Sequence, residues 1–213
     1  MPNPLGRLVE HDPRSLAYQA LRAVVLRSVA HTRHGKPFDQ GQLGSCTGNA
    51  MAGLLMTDPY WHRGRRLTEA TAVKLYKYAT TVDSEPGQYP PDDTGSSGLA
   101  AAKAAQHYQY IKSYGHAFGL QHALEALVLQ PVIVGVNWYQ GFDHPDPYGN
   151  VSISGEVRGG HEFELVAIDV EAKTVRACNS WGLGYGDGGY FTFSWDDLDR
   201  LLQEQGDVTT VAV

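Results

Sequence analysis

Cys46 is the first residue whose type and position could do covalent chemistry. It lies in FDQGQLGSCTGNAMAGLL, after Gly41, Gly44 and Ser45, and the residues beyond it predict a helix with Ser45 as its cap. A thiol on the first turn of a helix meets unpaired N–H groups and the positive end of the helix dipole, which favour the thiolate. The glycine loop would keep it accessible; the ordinary alternative is a small buried hydrophobe. A thiolate nucleophile needs a base, and the base needs an orienting group. Nine histidines are present, so composition selects none. His161 is distinctive because it follows Gly159-Gly160 and opens the apolar strand HEFELVAID, where it can face a cleft while its strand is anchored in a core. Asn179 ends the next strand, and its amide oxygen can accept from one ring nitrogen of His161. Trp181 can shield that bond from water. Taken singly, each has a plainer reading: a half-exposed His, a turn Asn, a core Trp.

The elements that must position these residues follow from periodicity. Helices are expected around Ser15 to Val29, with Leu16, Ala20, Ala23 and Val24 on one face, and from Thr68 to Thr80, with Ala72, Leu75, Tyr76 and Ala79 buried. Leu99–Tyr110 and Gln121–Leu129 read as further helices, and DSEPGQYPPDDTGSS as loop. From Pro131 the pattern turns strand-like in VIVGV, HEFELVAIDV, TVRACNSW and GYFTFSW, before a short amphipathic helix DDLDRLLQEQG. Helices first and strands second predict an α+β chain with a cleft between the halves. The expected divisions are an N-terminal segment 1–36 packing on the body, a helical lobe 37–115 carrying the thiol, and a β-rich lobe 116–213 carrying His and Asn.

The 213 residues are 42% hydrophobic, 19% charged and 10% aromatic, a globular composition. Seventeen Lys and Arg against 23 Asp and Glu leave a net charge of −6, which speaks against a nucleic-acid partner. No apolar run is long enough to span a membrane, and the first 30 residues predict no secretory signal. Two cysteines make no disulfide framework, so the chain is expected in a reducing compartment or one needing no disulfides. Cys178, next to Asn179, would point to the opposite strand face as a core thiol. His31 and His34 lack the partners of a zinc site, and GLGYGDGG lacks the context of a phosphate or dinucleotide loop; no metal or cofactor is expected.

Together QGQLGSC, the GGH strand and NSWGLGYGDGGY resemble the papain-like cysteine peptidases, in the order Cys, His, Asn, over about residues 37 to 195. DQGQLGSCT looks most like compact bacterial and phage members, without a long prosegment or disulfides. The resemblance implies a two-lobe α+β fold, helical lobe first and antiparallel barrel-like lobe second, with the active site in the cleft. It implies Cys46 as nucleophile, His161 as base and then acid, and Asn179 orienting the ring under Trp181. Gln40, six residues before Cys46, would donate to the oxyanion with the Cys46 N–H. Gly95, Ser96 and Ser97 occupy the place of the family's substrate wall, and Gly160 and Trp181 are further expected substrate contacts. Gly135 and Val136 are the expected floor of the specificity pocket. Thr47, Leu43 and Tyr185 depart from the plant enzymes, which carry Trp, a disulfide Cys and a second Trp there. The expected activity is hydrolysis of peptide bonds in a peptide or protein substrate. The same triad acting on cell-wall peptides or isopeptides, or a non-catalytic binding protein with this fold, are the alternatives. The expected location is cytoplasmic or released without a signal peptide.

Overall fold

The computed structural model describes every residue except Met1, Val24 and Arg65. Its first long helix, α1 (Cys46–Leu54), is buried along its whole length. Its small residues let neighbours approach: a Cβ on Gly48 would fall on the Ala72 carbonyl oxygen and 2.9 Å from the Tyr76 nitrogen of α2 (Glu69–Ala79). Gly48→Ala is therefore expected to destabilise the fold by about 1–3 kcal/mol, read as a lower urea midpoint at unchanged slope. Thr68 and Thr71 form a reciprocal capping box at the start of α2, and its buried stripe is Ala72, Leu75, Tyr76 and Ala79. α3 (Gly98–His107) completes the helical side, with alanines buried at 100–102, 104 and 105.

The remaining regular elements are β1 (Val29–Ala30), β2 (Ser113–Ala117), α4 (Gly119–Leu129), β3 (Val132–Tyr139), β4 (Val157–Asp169), β5 (Thr174–Cys178), β6 (Tyr190–Ser194), α5 (Trp195–Gln203) and β7 (Asp207–Ala212). The strands make one seven-stranded antiparallel sheet in the order β2-β7-β3-β4-β5-β6, with β1 added to β4. Two apolar cores flank it. Val134, Val136, Trp138, Phe163 and Phe191 pack with α4 and α5, while Ile133 and Val211 join Met51, Leu54 and Leu75 on the helical side. Alternation along β3 and β4 thus sends successive residues to opposite sides.

Several expectations change. Ser15–Val29 is not a helix: a 3-10 turn spans Pro13–Ala17, and the chain then pairs as extended backbone with residue 116 and with β4. Of the expected stripe Leu16 is exposed while Ala20 is buried and Ala23 packs against the sheet core, so these residues reach the core from extended backbone and not from a helix face; Val24 lies outside the described residues. Ser45 precedes α1 but its side chain makes no capping bond; its Oγ accepts from Asn49 Nδ2 at 3.0 Å. The strands β2 and β7 have no counterpart in the sequence reading, and they bracket the sheet's first pairing, so sheet and helices interleave along the chain. Val136 faces the β-side core, not the cleft. Among the described residues no helix is long and apolar enough to cross a membrane.

Candidate active site

Cys46 opens α1, which packs on β4, and His161 lies on β4 next to Glu162, whose backbone N–H acts on the thiol. The imidazole Nε2 and the Asn179 Oδ1 are 2.8 Å apart, which fixes the ring and leaves Nδ1 as the nitrogen available for chemistry. Nδ1 is buried without a hydrogen-bond partner. Trp181 lies over the ring at 4.8 Å between centroids and 32° between planes, and Trp138 meets its edge at 4.7 Å. Trp181 thus screens the His–Asn bond. Asn179 is held in turn by the Ser180 N–H, which donates to Oδ1 at 2.8 Å.

Gln40 is oriented by a residue that sequence reasoning passed over. Ser180 Oγ donates to Gln40 Oε1 at 2.6 Å, and the Gln40 N–H donates to the Ser180 carbonyl at 2.9 Å. The amide nitrogen is thereby turned towards the loop before Cys46, where it donates to the Leu43 carbonyl at 2.8 Å. The signal for Ser180 was its position between Asn179 and Trp181, a segment that bridges to Asp39.

Residues 4–8 run through the cleft as a strap. The Gly6 and Arg7 N–H groups donate to the Gly160 carbonyl at 3.1 and 2.9 Å. On the other wall, Ser96 N–H donates to the Gly6 carbonyl at 2.8 Å and Leu8 N–H to the Ser96 carbonyl at 2.7 Å, a parallel pairing. Gln40 Nε2 also reaches the Pro4 carbonyl at 3.5 Å. Glycines make this passage possible: a Cβ at Gly95, at φ +77°, would collide with the Gly6 carbonyl, and one at Gly160 with the Arg7 carbonyl. Gly6 itself lies against the Gly44 backbone, where no side chain fits. Ser97 serves α3: its hydroxyl caps Ala100 N–H at 3.0 Å and bonds Glu10 farther along the strap. Pro2, Pro4 and Gly6 in PNPLGR were the available sign of an extended segment.

The strap reverses the electrostatic expectation for the thiol. Cys46 and His161 are fully buried beneath it. Burial, and secondarily the Glu162 carboxylate, push the thiol up to about 12, although the Glu162, Gly6 and Thr47 N–H groups pull the other way. Burial pulls His161 down to about 4, against the Asn179 bond. Under the strap burial thus favours the neutral thiol and the neutral imidazole over the expected thiolate–imidazolium pair. The helix N-terminus is present, but desolvation outweighs it. Cys178 is a second buried free thiol, also pushed up to about 12 by burial. His31 and His34 go separate ways, to the Leu127 carbonyl and to Asp58.

No protein-family profile and no curated protein matches the sequence. Solved structures do match its fold. Xylellain, a cysteine protease from Xylella fastidiosa, superposes with a TM-score of 0.74 at 17% identity, over 100% of this chain and 97% of that one. Procathepsin L 3 from Tenebrio molitor larval midgut gives 0.66 at 15% identity over 98% and 84%. Bromelain from Ananas comosus, in complex with the E64 inhibitor, gives 0.63 at 15% identity over 89% and 100%. With five α-helices and a seven-stranded antiparallel sheet among the described residues, the chain has the papain-like cysteine peptidase fold.

Proposed function

We propose that this chain is a cysteine peptidase, with Cys46 as nucleophile, His161 as general base and acid, Asn179 as the orienting group and Gln40 as an oxyanion donor. The observation that carries the reading is the fixed imidazole: Nε2 is tied to Asn179 at 2.8 Å under Trp181, while Nδ1 is buried without a hydrogen-bond partner. The strap supplies the second support, because the two walls already pair with an extended polypeptide through Ser96 and Gly160. In its covering position its Gly6 N–H donates to the Gly160 carbonyl at 3.1 Å, and the same backbone group pulls the Cys46 thiol down against burial. Residues 4–8 thereby keep the site closed.

When the strap lifts, water returns and both shifts relax. The thiol proton passes to His161 Nδ1, and the thiolate sulfur bonds to the substrate carbonyl carbon as the C=O electrons move to oxygen. That oxyanion is met by the Gln40 side-chain N–H and the Cys46 N–H at the start of α1. Collapse breaks the C–N bond while the imidazolium gives its proton to the departing amine. Water then attacks the thioester, losing a proton to His161, and the acid leaves as the thiol re-forms.

The test is hydrolysis of an unfolded protein by the full chain, with fragments identified by mass spectrometry and Cys46→Ala as control. New termini that depend on Cys46 support the reading; none from a chain whose strap has been loosened opposes it. Gln40→Ala is expected to lower kcat by about 10²–10³-fold with KM little changed, because the lost donor acts on developing charge. Ser180→Ala, which releases the Gln40 amide without removing it, should fall between that variant and the wild type.

A further inference from the structure

The strap fills more than the backbone track. The Arg7 side chain turns off it into a pocket and is wholly buried there. Its Nε donates to Asp207 Oδ2 at 3.2 Å, its Nη2 pairs with the same oxygen, and Nη2 also donates to the Gln205 carbonyl at 2.6 Å. The pocket is written into the sheet register. Gly135 on β3 stands opposite Asp207 on β7 and opposite Glu162 on β4, so Asp207, Gly135 and Glu162 form one row across three strands. Residues in such a row share a face, and the missing side chain at Gly135 leaves a gap between two carboxylates. A Cβ there would lie 2.6 Å from Arg7 Nε, 2.6 Å from Glu162 Oε2 and 2.7 Å from Asp207 Oδ2. Gly98 opens the far wall in the same way, its Cβ position being 2.5 Å from Glu162 Oε1 and 3.0 Å from Asp207 Oδ1.

We propose that this pocket is the side-chain specificity site and that it takes the guanidinium of an arginine in the substrate, one residue removed from the bond that Cys46 attacks. The inference rests on the peptidase reading and names its substrate class. Placement comes from the strap: Gly6, the neighbour of Arg7, pairs with Gly160 beside His161 and is the strap residue whose backbone acts on the Cys46 thiol. Charge comes from the row, two carboxylates around one cation. The decisive detail is what Arg7 leaves undone. Both Glu162 oxygens and Arg7 Nη1 are buried without hydrogen-bond partners. A pocket shaped only to lock Arg7 would pair those groups, since an unpaired buried charge is costly. Arg7 uses Asp207 and leaves Glu162 for a guanidinium that enters deeper or from the other direction. The strap is then a displaceable occupant.

Two readouts on the full chain separate this inference from the reading beneath it. The first is calorimetric binding to the Arg7→Ala, Cys46→Ala double variant, using acetylated Arg-Gly-amide dipeptides and their Leu-Gly and Lys-Gly counterparts. The arginine peptide should bind about 10- to 100-fold more tightly than the leucine one, as expected for charge-assisted bonds in a dry site. Lysine, without a fork to span two carboxylates, should fall between. Glu162→Gln and, separately, Asp207→Asn should each erode the preference. The second is turnover of the matching aminocoumarin substrates by Arg7→Ala with Cys46 intact. Arginine-selective binding with matching turnover supports both claims. Selective binding without turnover keeps the pocket and removes the peptidase. Turnover with equal or leucine-favouring kcat/KM, or binding without selectivity, overturns the pocket and reduces Glu162 and Asp207 to a latch for Arg7.

Discussion

Replacing His161 with alanine is expected to lower kcat on a peptide substrate by about 10⁴-fold or more, with KM changed far less. The imidazole acts twice in the proposed cycle, taking the thiol proton and delivering it to the leaving amine, so its loss is felt in the chemical steps. Truncation also opens a hole among Trp138, Trp181 and Phe163, so stability must be followed alongside. Asn179→Ala separates the two effects. It keeps the ring but removes the acceptor at 2.8 Å, and it also frees the Ser180 N–H. Its kcat should fall between wild type and His161→Ala. An Asn179→Ala variant as slow as His161→Ala, yet folded and still labelled at Cys46, would mean that ring orientation is the whole of the histidine's contribution.

Gly6→Ala is expected to raise the rate of covalent labelling at Cys46 by about 10- to 100-fold. The added methyl has no space against the Gly44 backbone, and overpacking of about 1–3 kcal/mol bears on the closed form alone. Acid should act in the same direction once Glu162 is replaced by glutamine. Closed, His161 is held near 4 by burial and by Arg158, with Asn179 and Asp143 opposing. Open, solvent returns and the group moves back towards its ordinary value of about 6.5. Between those values the open form binds a proton that the closed form refuses, so closure weakens as pH falls through that window, by at most about 3 kcal/mol. Glu162 is raised by burial and by Asp207 and lowered by Arg7. Burial is the largest of these, so opening lowers Glu162 and its proton release opposes the uptake at His161; Glu162→Gln removes that opposing group. The check, in the Glu162→Gln background, is the ratio of labelling rates without and with Gly6→Ala, from pH 6.5 to 4; this cancels the reagent's own pH dependence. The ratio should climb towards one. A flat or falling ratio would contradict control of access by the strap.

The α2 stripe, the α1 start at Cys46 and the His161–Asn179 pair were legible because each rests on short-range pattern. A helix shows as a period, and a catalytic pair shows as residue types at the ends of neighbouring strands. What escaped is set by tertiary contact. The Ser15–Val29 stretch has helical spacing, but Ala20 and Ala23 reach the core from extended backbone while Leu16 stays exposed, and pairing with β2 and β4 wins. The expected depressed thiol pKa followed from helix geometry alone and missed the burial imposed by a segment some forty residues earlier. The acidic pocket needed strand register: nothing in the sequence brings Asp207 to Gly135 and Glu162, which meet only when β7 pairs with β3. β2 and β7 were missed because SYGHA and DVTTVA are short and carry little alternation.

The measurement that bears most directly on the central claim is covalent labelling by a peptidyl epoxide, mapped by mass spectrometry on the full chain. Wild type, Gly6→Ala, and Gly6→Ala combined with His161→Ala would be compared at one pH. The proposed account predicts a single adduct on Cys46, slow in wild type, fast with Gly6→Ala and nearly lost when His161 is also replaced. An adduct on Cys178, or a folded Gly6→Ala chain that takes no label, would contradict it.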